Sequence, residues 1–109
     1  MKPEELRNIP KPPEANRVDE WQPLSDNTHS RFFHLNGWED GKVRVHLEGY
    51  QYSDRPVRLA VAIDRCPESL TIPQANCLRN LLDNAVTKAE EWAEKHLNTN
   101  GMLHSILGN

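Results

Sequence analysis

Five histidines, two cysteines and a cluster of glutamates are the residues of this chain best suited to chemistry. His29, His34, His46, His96 and His104 fall in no HxH, HxxxH or HExxH spacing, and a metal centre needs three or four ligands brought together. His34 and His46 lie on neighbouring predicted strands and approach each other in some registers, but two ligands do not make a site. Cys66 and Cys77 lack the CxxC spacing of redox and zinc motifs, so they read as reduced thiols. No Ser, Cys or Thr sits in a nucleophile context such as GxSxG, and no glycine-rich phosphate loop is present. Glu90, Glu91 and Glu94 lie beside Lys88 and Lys95. At helical spacing these are a solvated face with local ion pairs. The expectation is a protein with no catalytic set, no metal and no cofactor.

A basic face is the second candidate. Lys42, Arg44, His46 and Arg58 share the polar side of two predicted strands, with Arg31 a candidate to join them and Tyr50 and Tyr52 at the edge. Cations interleaved with aromatic rings are what single-stranded nucleic-acid platforms use. The charge balance argues against that use. Residues 29 to 69 hold six cations against six carboxylates, and the whole chain of 109 residues carries a formal charge of −3. Affinity for nucleic acid is dominated by phosphate neutralisation, so nucleic acid ranks below a protein as the expected partner.

These residues are positioned by few elements. Phe32, Phe33 and Leu35 predict a first strand over about 30–35, and Asn36-Gly37 and Asp40-Gly41 are turn chemistry. From 42 to 50, Val43, Val45 and Leu47 alternate with Lys42, Arg44, His46 and Glu48, which predicts a strand with one apolar face. Val57, Leu59, Val61 and Ile63 predict a third over 57–63. A long helix follows over 72–97. Thr71 and Gln74 form a capping box, Pro73 sits in the first turn, and Ala75, Leu78, Leu82, Ala85, Ala89, Trp92 and His96 recur at spacings of three and four. The predicted fold is α+β: a three-stranded antiparallel meander with one helix across its apolar face.

Residues 1–28 contain five prolines, six carboxylates and few apolar side chains. Such a segment offers little surface to offset its ordering entropy, so a flexible arm is expected before a single domain over 29–109, with Trp21 folding back as an anchor. A strand of seven residues spans about 23 Å and a helix over 72–97 about 39 Å. The helix is therefore expected to overhang the sheet, leaving Ala85, Ala89, Trp92, Ala93 and Leu97 for the tail Met102–Leu107 or for a second copy of the chain. A homodimer through that stripe follows from this reading. No apolar stretch of signal-peptide or membrane-helix length appears, which points to the cytoplasm. The functional expectation is a small regulatory or accessory domain that works through protein contacts.

Overall fold

The computed structural model describes residues 3–25 and 27–97. The expected α+β layers are present. An antiparallel sheet packs one face on a single long helix at the C-terminal side of the domain. In chain order the elements are α1 (Pro3–Arg7), β1 (Arg17–Val18), β2 (Gln22–Ser25), β3 (Thr28–Asp40), β4 (Val43–Tyr52), β5 (Arg58–Arg65) and α2 (Ile72–Leu97). The meander β3–β4–β5 is the frame. β1 and β2 both pair with the outer edge of β3, so the sheet has five strands rather than three.

The long β3 accounts for the first difference from expectation. Asn36-Gly37 is not a turn. Asn36 pairs with Leu47 and Gly37 with His46, while Leu35 is the extra residue of a bulge between His34 and Asn36. The hairpin turns at Gly41-Lys42 instead, where Gly41 has φ 61°. That is the position where a two-residue hairpin turn favours glycine. With 13 residues, β3 spans about 43 Å, and the helix has no overhang to hide.

Helix α2 starts as its residues dictate. The Thr71 N–H donates to Gln74 Oε1 at 2.9 Å, and the Gln74 N–H donates to Thr71 Oγ1 at 3.2 Å. Leu81, Ala85, Ala89, Trp92 and Ala93 are its buried residues. The small alanines bring the helix down onto Val43, Val45 and Leu47, each 1% exposed or less. Trp92 packs on Phe33 with ring centroids 6.0 Å apart. Of the expected stripe Ala85, Ala89 and Trp92 are buried, Leu81 takes the place expected for Leu82, Leu78 and Leu82 sit at the flank, and Ala75 is exposed.

The segment expected to be a free arm is, across its described residues, packed on the domain. Leu6 and Pro12 are buried. Buried Arg31 donates to Gln51 Oε1 at 2.6 Å and to the carbonyls of Ile9 and Pro10, and Gln51 Nε2 donates to Pro10 as well. Trp92 Nε1 donates to the Pro13 carbonyl at 2.8 Å. Trp21 lies over the Arg31 guanidinium at 4.3 Å. Prolines lack an N–H, so they offer carbonyls without presenting a donor that would need a partner.

Glu14, in the left-handed region at φ 66°, accepts from Lys88 at 2.8 Å and from His96 at 2.7 Å. Hydrogen bonds from Lys88 and then His96 lower its pKa from 4.5 to about 2. A carboxylate with a lowered folded pKa stabilises the fold above its ordinary value and loses that contribution as pH falls toward the folded one. This clasp therefore weakens between about 4.5 and about 2.

Gly49 is the tightest point of the core. A Cβ there would lie 2.6 Å from the Phe33 ring and 3.0 Å from the Arg58 carbonyl oxygen. Gly49→Ala is expected to destabilise the domain by about 1–3 kcal/mol. Urea denaturation measures this, and an unchanged midpoint would show that Phe33 moves freely.

Candidate functional site

The sheet face away from α2 carries a connected polar row. Across the β3 bulge His34 and Gly37 lie on that same face, and Gly37 leaves the position opposite His46 without a side chain. The two imidazoles meet across the gap, with His34 Nε2 2.7 Å from His46 Nδ1. At one end His34 Nδ1 faces Asn16 Oδ1 at 2.7 Å. Asn16 Nδ2 donates to the Leu35 carbonyl at 3.1 Å, which leaves its oxygen to accept from His34. At the other end His46 Nε2 lies 3.3 Å from Asp64 Oδ2. His34 must then hold its proton on Nδ1. The whole chain from Asn16 to Asp64 is hydrogen-bonded only when the His pair carries one proton more than its neutral form. Burial lowers the pKa of His34. The charges of His46, Arg17 and Arg44 lower it further, against the opposing pull of Glu48.

Arg44, His46 and Arg58 lie on this face as the alternation predicted, with Phe32 and Tyr50 in edge contact at 5.8 Å and Arg17 5.5 Å above the Phe32 ring. Lys42 lies in the turn. Arg31 faces the opposite side and is 8% exposed. Most of the cations have carboxylates beside them: Arg17 with Asp19, Arg44 with Asp64 and Arg65 with Glu39. Cys66 and Cys77 are free. The hydrogen bond to Asp40, with burial adding to it, raises the Cys77 thiol's pKa and so depletes its nucleophilic thiolate. Among the described residues no group of three or more His, Cys, Asp or Glu is placed to hold a metal ion.

The second surface is a groove between α2 and β5. The helix covers β3 and β4 and leaves the helix-facing residues of β5 partly bare, with Val61 36% and Ile63 51% exposed. Across from them Leu78, Leu82 and Val86 form a second apolar row on α2, and Val86 is 47% exposed. A hollow lined by Leu70 and, on α2, by Ala75, Leu78, Leu82 and Val86 measures ≈ 360 Å³. A smaller one of ≈ 190 Å³ joins Val86 to Leu59 and Val61.

The helix stripe expected to form an interface lies in the chain's own core. Ala85, Ala89, Trp92 and Ala93 are at most 5% exposed within one chain, and Leu97 packs partly buried on the same cluster. They have no surface left for another copy. The expected fold-back of Met102–Leu107 lies outside the described residues. Adjacent Leu81 and Leu82 were the available sign of two apolar rows rather than one.

Compared with known protein families, curated proteins and solved structures, the chain matches none. Among the described residues no helix is long and apolar enough to cross a membrane.

A histidine whose folded pKa is depressed stabilises the fold above its ordinary value of 6.5 and loses that contribution as pH falls below it. Stability should therefore decline from pH 7 to 5, and His34→Gln, which keeps a polar group near Nε2, should flatten that slope. Denaturation midpoints across this range measure it. Equal slopes in the two proteins would exclude His34 as the titrating group.

Proposed function

We propose that this is a non-enzymatic protein-interaction domain of the accessory or regulatory kind, acting in the cytoplasm. Its binding surface is the apolar groove between α2 and β5. The observation that carries the reading is the exposure of Val61 and Ile63 on a strand whose outer edge has no partner among the described residues, with exposed Val86 of α2 beside Val61. An open edge offers a row of backbone donors and acceptors, and an extended segment of a partner adds to it as a further strand while its alternate side chains enter the groove. The carboxylates beside Arg17, Arg44 and Arg65 support this choice over a polyanion, which draws its affinity from unneutralised cations.

A photo-crosslinking amino acid at Val86 in the native host is the test. It should give a discrete protein adduct that the same probe at exposed Glu68 does not. Adducts from probes at Tyr50 and Arg58 alone, with none from Val86, would move the binding surface to the other face.

A second reading has one observation in its favour. Phe32 and Tyr50 lie together on the open face with Arg17 and Arg58 beside them and His46 and Arg44 further along β4, the composition of a base-stacking platform. Retention of single-stranded RNA is expected to be weak. Tight retention that falls steeply with salt and is lost in Arg44→Glu/Arg58→Glu would put this reading first.

A further inference from the structure

We infer that the occupant of the β5 edge is a second copy of this chain, paired antiparallel about a twofold axis through Val61. This rests on the groove reading above and adds the partner and the register. The edge strand reads Arg58-Leu59-Ala60-Val61-Ala62-Ile63-Asp64. It is matched about its centre in size and complementary in charge.

In an antiparallel pair, residues directly opposite each other share a face. With the axis on Val61, that residue meets its own counterpart, and Leu59 lies opposite Ile63 of the second copy. Ala60 lies opposite Ala62 and Arg58 opposite Asp64, and the twofold makes each of these contacts twice. Leu59, Val61 and Ile63 all face the helix side, where they pair with Gly49, Leu47 and Val45 of β4. The exposed apolar rows of the two copies are therefore laid against each other. Arg58 and Asp64 both face the open side. Asp64 is already there beside His46 and Arg44, and Arg58 has no carboxylate partner among the described residues.

Neighbouring registers fail on the same criteria. A slip of one residue sets Leu59 against Asp64, or Ile63 against Arg58. A slip of two sets Leu59 against Arg65 in one direction. In the other direction it leaves Arg58 against Ala62 and forfeits the charge pairs. Register is well specified when slippage costs both burial and charge. The edge from Arg58 to Ile63 also lacks the usual defences, with no lysine, no proline and no bulge until the extra residue at Asp64.

Sedimentation equilibrium on the full chain tests the proposal. The wild type is expected to be a dimer. Val61→Lys places two like charges face to face at the axis at a position already 36% exposed, so a monomer with unchanged circular dichroism is expected. Arg58→Asp and Asp64→Arg should each weaken the dimer roughly ten-fold, because like charges then oppose each other at both ends. Mixed in equal amounts, these two variants should form a heterodimer, because opposite charges again meet at both ends.

A wild type that stays monomeric at its solubility limit overturns the proposal, as does a dimer that survives Val61→Lys. If the chain is monomeric but the Val86 probe still captures another protein, the groove reading stands and the second copy is wrong. If the chain is monomeric and Val86 captures nothing, both fail.

Discussion

One α-helix is about 10 Å wide, and strands lie about 4.8 Å apart, so a single helix covers two strands and no more. This domain has three strands in its central meander and one long helix to cover them. The helix lies over β3 and β4, where Ala85, Ala89 and Ala93 let it approach Val43, Val45 and Leu47. β5 is left with its helix-facing row half covered. Every surface that looks functional follows from that shortfall. The groove is the uncovered width, and the open edge is the strand beyond it. The second apolar row on α2 is the helix flank that would have met a further layer.

The same limit explains the path of the N-terminal segment. At the β1 side of the sheet the helix end and the strands leave Arg31, Gln51 and the Trp92 N–H facing inward, polar groups that burial would penalise if unpaired. Carbonyls of Ile9, Pro10 and Pro13 meet them. The segment is thus held by hydrogen bonds and the Glu14 clasp more than by apolar area. Composition argued for a free arm because composition counts apolar surface. It does not register that the carbonyls of Ile9, Pro10 and Pro13 form a rail of acceptors matched to the inward-facing donors of Arg31, Gln51 and Trp92.

What was legible in the sequence was whatever depends on neighbours in the chain. The capping box at Thr71 and Gln74 formed as its residues require, and the alternation over Val43, Val45 and Leu47 gave the correct inward face. The order of three strands and a helix was also readable. What depended on partners far along the chain was not. Asn36-Gly37 has the composition of a turn, yet Gly37 serves as the empty place opposite His46, a role visible only once β3 and β4 are paired. Trp92 looked surplus because β3 was cut short at that false turn. A strand too short by seven residues leaves a tryptophan with nothing to pack on. Of the candidate residues, Arg44, His46 and Arg58 were placed on the right face. Val61 and Ile63 were read as ordinary inward positions and Val86 was left off the helix stripe, because a period of two or 3.6 shows which face a residue takes and not whether that face is covered.

Asp64 is where the two surfaces meet. On its own chain it ends the polar row that begins at Asn16, with Oδ2 3.3 Å from His46 Nε2. It is also the residue that faces outward across the β5 edge toward an arginine in the register argued above. In that register one side chain joins the histidine row of one copy to the edge of the other. The bulge at Asp64, between Ile63 and Arg65, also ends the regular edge. The strand is therefore long enough to be self-complementary over seven residues, and its charges sit only at the ends of that stretch.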